Sequence, residues 1–329
     1  MRLPALLLAA VASVALAACG SDDPGSDTTT APAAAGAFPV TVEHAFGKAT
    51  IPKPPERVVT VGFNEHDFAL ALGVRPVAVR EFIGAFPYKT RPWAPQAHAD
   101  PAPALVGGQE IALERVAAAR PDLILGIYSF VDEPTYRKLA KLAPTVAQGA
   151  DAPPGGTPWD RQLLETGRAL GREPRAKQIV AQVDGQFAAA RERHPQFAGK
   201  TLTVAFEGGG SLFNLADSDL RQQFFTDLGF RTPKGAGIES ISRERLDVLD
   251  QDVLVLITDD PKGLLEDPLF RRLDVVEEGR VVAVGAADAF AGALGFNSPL
   301  SRPYLLRQAE PRLAAALDGD PATKVAATE

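Results

Sequence analysis

Short apolar runs alternate with helix-length amphipathic segments along most of the chain. Val40–Glu43 and Lys48–Ile51, separated around Gly47, predict a β-hairpin. Arg57–Val61 predicts a buried strand, and Glu65–Leu72 a helix closed by Gly73. Strands follow at Val77–Val79 and Ala104–Val106, then a helix at Ile111–Ala119 stopped by Arg120-Pro121. Leu123–Ile127, Thr135–Leu142 and Thr145–Ala147 predict strand, helix and strand. This alternation predicts a parallel-sheet α/β lobe. Trp159–Leu170 and Arg175–His194 then form a helical stretch broken at Gly171 to Pro174. In the second helix Ile179, Val183 and Phe187 recur every fourth position, and its length is about 30 Å. Strands resume at Thr201–Phe206, Ser211–Asn214, Val253–Ile257 and Arg280–Val284, with helices at Leu220–Leu228, Arg243–Leu249 and Ser301–Leu317. The order is therefore lobe, long helix, lobe.

The two lobes share an echo. Glu114, seven residues, then Asp122-Leu123-Ile124-Leu125 returns as Glu244, seven residues, then Asp252-Val253-Leu254-Val255. Each Glu opens a short helix off its apolar face, a position that the helix dipole favours for an acid and that leaves the side chain to solvent.

The N-terminus changes the picture. Arg2 precedes an apolar run, Leu3–Ala18, shorter than the about 20 residues needed to span a bilayer. It ends in Leu16-Ala17-Ala18-Cys19, which reads as a signal peptide over 1–18 with Cys19 as the lipidation site. Cys19 is the single cysteine of the chain, so it has no disulfide partner. Residues 19–37 carry Gly, Ser, Asp, Thr, Pro and Ala and are expected to be a flexible tether. The expected folded parts are a lobe over 38–158, a helical bridge over 159–198 and a second lobe over 199–317, with a disordered tail over 318–329. A net charge of −7 without a basic run argues against nucleic acid. The fold is expected to be monomeric and anchored to the outer face of the cytoplasmic membrane.

The chain resembles the substrate-binding lipoproteins of iron–siderophore, haem and cobalamin ABC importers. The resemblance is carried by Pro55-Glu56-Arg57-Val58-Val59, Ala71-Leu72-Gly73-Val74-Arg75-Pro76-Val77, Leu113-Glu114-Arg115-Val116, Arg120-Pro121-Asp122-Leu123-Ile124, Leu142-Ala143-Pro144-Thr145-Val146, Gly167 through Arg172, and Ser298-Pro299-Leu300-Ser301. It implies an α/β fold of class III periplasmic-binding-protein architecture, two three-layer Rossmann-like lobes bridged by a single long helix. It implies no cofactor: the ligand would be a ferric siderophore whose iron the siderophore holds, with haem or cobalamin as alternatives. It also implies a permease dimer with its ATPase as partner, met by Glu114 and Glu244, one per lobe. One departure is Arg302-Pro303-Tyr304, where relatives usually carry an apolar residue in place of Arg302; this arginine is expected to face either the ligand or the solvent, the solvent being slightly favoured.

Ligands of open α/β sheets bind beyond the carboxyl ends of the strands. Those ends are Phe63-Asn64, Arg80-Glu81-Phe82 and Tyr128-Ser129 in the first lobe, and Glu207, Phe213-Asn214 and Thr258-Asp259 in the second. Arginine and aromatic walls suit an oxygen-rich iron complex. Expected ligand contacts are Arg80, Phe82, Tyr88, Trp93, Tyr128, Trp159, Phe213 and Asn214, with the loop after Arg80 supplying many of the rings. A metal cage is not expected from four scattered histidines, His44, His66, His98 and His194. An enzyme is not expected either: there is no Gly-x-Ser-x-Gly elbow and no phosphate-cradling Gly-Lys-Ser/Thr loop. A surface-anchored interaction protein without a transport role remains the alternative of a different class.

Overall fold

Val40–His44 (β1) and Gly47–Ile51 (β2) pair antiparallel, from Val40 opposite Ile51 to His44 opposite Gly47. The computed structural model describes residues 37–81, 86–208, 210–238, 240–320, 323 and 325. The signal segment, Cys19, nearly all of the tether, Phe82 and much of the tail lie outside the described residues.

The first lobe runs through β3 (Val58–Thr60), α1 (Glu65–Ala71), β4 (Ala78–Val79), β5 (Ala104–Leu105), α2 (Leu113–Ala118), β6 (Leu123–Gly126), α3 (Glu133–Ala140) and β7 (Thr145–Ala147). Its sheet has the order β5-β4-β3-β6-β7, and every pair is parallel. All residues of β3 and β6 are buried, as befits parallel strands covered on both faces. The winding reverses between β3 and β6, so a crevice opens beyond their carboxyl ends.

Two helices follow, α4 (Trp159–Ala169) and α5 (Glu173–Arg193). The long helix is a single run of 21 residues, about 32 Å. It starts two residues before the expected Arg175 because a proline is tolerated in the first helical turn, here Pro174. Ala176, Ile179, Val183, Phe187 and Ala190 form its buried stripe, packed against α4 and the C-terminal helix. Gly167 of α4 permits that approach: a Cβ at this position would lie 2.6 Å from that of Ala176.

The second lobe comprises β8 (Leu202–Gly208), β9 (Ser211–Asn214), α6 (Leu220–Thr226), β10 (Val253–Thr258), α7 (Pro261–Glu266), α8 (Asp274–Glu277), β11 (Val281–Gly285), α9 (Ala289–Phe296) and α10 (Ser301–Ala316). Its sheet has the order β11-β10-β8-β9, with β8 and β9 antiparallel and the other pairs parallel. The expected helix at Arg243–Leu249 is a tighter 3-10 segment, interrupted at Arg245 by non-helical backbone. α9 was invisible to periodicity because its sequence, AFAGALGF, has no polar face. Among the described residues no helix is long and apolar enough to cross a membrane.

Candidate ligand cleft

The crevice beyond β3 and β6 is built from backbone outward. The Phe63 N–H donates to the Tyr128 carbonyl at 3.0 Å, joining the two strand ends. The buried Glu65 carboxylate accepts the Tyr128 N–H at 2.5 Å and the Asn64 N–H at 3.3 Å. Burial pushes the Glu65 carboxyl up to about 7, against the downward pull of these N–H groups and of Arg80. Above this frame stand three rings: Tyr128 and Phe130 with centroids 5.1 Å apart, and Phe63 at 6.3 Å and 6.0 Å from them. Phe130 is 51% exposed and has φ of 55°, so a side chain is displayed here at a backbone cost. Gly155, φ 76°, lets the loop before α4 lie on the rings; a Cβ there would sit 2.4 Å from Phe130.

The second lobe presents a matching surface. Phe206 at the end of β8 and Phe213 of β9 stack at 5.3 Å with planes 7° apart. The Arg221 guanidinium lies 4.8 Å over Phe206. Asp219 holds it through two hydrogen bonds, from Nε at 2.9 Å and from Nη2 at 2.7 Å. Burial works against the Arg221 charge, and Asp219 offsets it, so the group is held above the ordinary arginine range. Tyr128, its phenol pushed up by burial, lies within electrostatic reach of both Arg221 and Asp219. Tyr128 on one lobe and Arg221 on the other therefore face the same space. The arrangement offers flat apolar walls and guanidinium donors, suited to holding a bulky oxygen-bearing ligand by stacking and hydrogen bonds. Among the described residues, no group of three or more His, Cys, Asp or Glu is placed to hold a metal ion.

The expected contacts divide. Tyr128 lies among the rings of the first lobe and Phe213 on Phe206 in the second. Arg80 lies beneath the cleft: its Cζ is 4.1 Å from the Phe63 ring centroid, and it is 4% exposed. Its N–H groups go to the carbonyls of Gly108 at 2.7 Å, Ser129 at 3.1 Å and Val61 at 3.2 Å, and to that of Gln109. Arg80 thus ties three loops under Phe63. Asn214 is buried, accepting the Gly237 and Ile238 N–H groups at 3.1 and 2.8 Å and so pinning that loop. Tyr88, Trp93 and Trp159 are buried elsewhere. Sequence reasoning read Phe63 and Phe206 only as strand ends and missed Phe130 and Arg221. The strand-end rule could have promoted the first two; nothing local marks Arg221, whose partner sits two residues away in the α6 cap.

Residues 59–287 match the family model described as periplasmic binding protein. The chain belongs to the periplasmic binding protein family. A solved periplasmic solute binding protein from Mycobacterium smegmatis is 35% identical, with a TM-score of 0.77 over 84% of this chain and 98% of that one. The ferric-anguibactin-binding protein FatB of Vibrio anguillarum is 26% identical over 75% of this chain and 80% of its own length. The probable siderophore-binding lipoprotein YfiY of Bacillus subtilis is 27% identical over 75% and 76%.

In this binding protein the aromatic loop after Arg80 does structural work. Asp67 of α1, fully buried, accepts hydrogen bonds from Arg91 at 2.6 Å, the Trp93 indole at 2.9 Å and the Ser298 hydroxyl at 2.8 Å. Burial raises its pKa, and these donors oppose that rise. Trp93 packs between Phe86, Phe296 and Tyr304, at 5.5, 5.2 and 6.1 Å. The loop therefore joins the first lobe to α9 and α10.

The expectation that Arg302 faces solvent is corrected: it is 1% exposed. It bonds Asp227 at 2.5 Å and Asn297 at 2.8 Å, and its Cζ lies 4.4, 4.8 and 5.7 Å from the rings of Phe187, Trp159 and Phe224. An arginine survives here because the carboxylate and the ring faces replace lost water. Glu114 and Glu244 are exposed in the first turns of their helical segments.

Proposed function

We propose that this protein captures a ferric siderophore in the cleft between Phe63, Tyr128 and Phe130 on one lobe and Phe206, Phe213 and Arg221 on the other, and delivers it to an ABC permease for iron import. The observation that carries this reading is the convergence of five rings and a guanidinium from two lobes on one space. Relatives named for ferric anguibactin and for siderophore binding support the ligand class. Arg80 acts from below as a positioning residue for Phe63. Glu114 and Glu244 dock onto a twofold permease, each lobe presenting one of this pair exposed in the first turn of a helical segment. Cys19 carries the lipid anchor on the outer face of the cytoplasmic membrane, with the relative named as a lipoprotein in support.

Calorimetric titration of the mature domain with ferric hydroxamates, ferric catecholates, ferric citrate, haem and cobalamin tests the ligand reading. Binding of a ferric siderophore with loss on Arg221→Ala is expected. Saturation by haem or cobalamin alone would refute it.

A further inference from the structure

We propose that the cleft selects ferric siderophores carrying no net negative charge, hydroxamate complexes above all, over polyanionic catecholate complexes. This rests on the reading of the cleft given above. The charges that surround the rings set this preference. Among the described residues Arg221 is the one guanidinium placed over a cleft ring of the second lobe, and two of its donors are taken by Asp219 at 2.9 and 2.7 Å. The pair is locally neutral. Arg80 stands under Phe63 with its donors committed to backbone carbonyls, and it is almost fully buried. Arg161, near Gly149 just beyond β7, is bonded to Asp151 at 2.5 Å and to Glu165 at 3.0 Å.

Most other charges near the carboxyl ends of the strands are acidic, and Lys262, just past Asp260, faces Glu266 at 3.9 Å. Glu207 adjoins Phe206 and accepts the Thr258 hydroxyl at 2.7 Å. Asp259 and Asp260 follow β10 and are exposed, and Glu81 follows Arg80. A polyanion entering this space would lose hydration, find each cation already paired, and meet carboxylates along the rim. Desolvating charge without an uncommitted partner is unfavourable, and like charges facing one another reject a ligand. An electroneutral or cationic complex escapes both costs. Its hydroxamate oxygens can take the guanidinium donors that Asp219 leaves unused, while its organic scaffold stacks on the five rings.

Isothermal titration of the mature domain with three probes tests the idea: ferrichrome, an electroneutral tris-hydroxamate; ferrioxamine B, a cationic one; and ferric enterobactin, an anionic tris-catecholate. At least one hydroxamate should bind about tenfold or more tighter than ferric enterobactin. Asp219→Asn keeps a side-chain acceptor for the α6 N-terminus but uncovers the Arg221 charge, and should narrow that gap by about tenfold. Asp151→Asn, which removes one of the two carboxylates on Arg161 and leaves Glu165, should act in the same direction and provides a second reading if Asp219→Asn folds poorly. Enterobactin binding as tightly as both hydroxamates, or an unchanged gap in folded variants, would overturn the charge preference while leaving siderophore capture intact. Binding of none of the three, with haem or cobalamin binding instead, would overturn the capture reading itself and the preference with it.

Discussion

Asp122 and Asp252 do the same job in the two lobes. The Asp122 carboxylate accepts the N–H groups of Glu56 and Arg57, both at 2.8 Å, just ahead of β3. Asp252 accepts the N–H and hydroxyl of Thr201, both at 2.8 Å, just ahead of β8. Each aspartate thus holds the entry to the strand beside its own, and the repeated Glu-to-Asp spacing has a shared physical basis. Of the glutamates, Glu244 bonds only locally, to the Ser242 side chain and its own backbone, and Glu114 is exposed at its helix start.

The double substitution Glu114→Ala, Glu244→Ala should therefore leave ligand affinity unchanged and stability within about 1 kcal/mol, since each acid contributes at most a helix-start interaction. Uptake and stimulation of the transporter's ATPase should be lost, with single variants intermediate. Transport assays at physiological salt decide it; full uptake by the double variant would leave these acids as helix-start residues alone.

Phe130 couples display to strain. Replacing it with glycine relieves the left-handed backbone, a gain of about 1 kcal/mol, and gives up a half-exposed ring. Stability of Phe130→Gly should stay within about 1 kcal/mol of wild type, while siderophore affinity falls about tenfold. Parallel urea titration and calorimetry separate the two effects.

Arg302→Ala should cost about 3–5 kcal/mol, because it empties the space between Trp159, Phe187 and Phe224 and leaves Asp227 without its cation. Burial pulls the Arg302 guanidinium down to about 10 against the opposing pull of Asp227, Asp184 and Asp160. Burial likewise raises Asp227. The pair is therefore costly to form, and a well-packed apolar replacement such as Arg302→Met with Asp227→Leu should recover most of the loss. Denaturant unfolding of the single and double variants measures this.

Glu65 gives the protein a pH signature. Its folded pKa of about 7 lies above the unfolded value of 4.5, so the folded state binds the extra proton in between. Stability from this group is full below about 4.5 and is lost as pH rises through about 7. His66 opposes it on the acid side: burial holds its pKa well below 6.5, so the unfolded state gains the proton as pH falls below that value. Glu65→Gln should remove a decline in stability that runs from about pH 4.5 to 7 and that His66 partly offsets below about 6.5, so the difference between wild type and variant isolates the Glu65 contribution. Urea midpoints across that range check it; an unchanged slope would exclude Glu65 as its source.

Much of the architecture was legible because its residues obey a period. The strands that became β3, β6 and β10 are uninterrupted apolar runs, and α5 announces itself through Ile179, Val183 and Phe187. α7, α8 and α9 escaped because two are short and the third has no polar side. The cleft was only half legible. Tyr128 and Phe213 follow from the strand-end rule, but Arg221 is brought in by the second lobe's folding from the start of α6. The aromatic density after Arg80 was a true signal with a different cause: the Asp67 network and the packing of Trp93 on α9 and α10 need those rings. Arg302 misled for the same reason, since an arginine inside three rings looks like a surface residue until its neighbours are known.

The chain has two tryptophans, and both are buried where elements pack together. Trp93 sits where the loop after Arg80 meets α9 and α10, and Trp159 lies against Arg302 beside the long helix. Their emission is therefore a gauge of how the two lobes are held together, not of what occupies the space between them. A loaded iron complex would dim both indoles through space while leaving their wavelength where burial sets it. A red shift would report that a seam has opened, so one spectrum can tell cargo from damage.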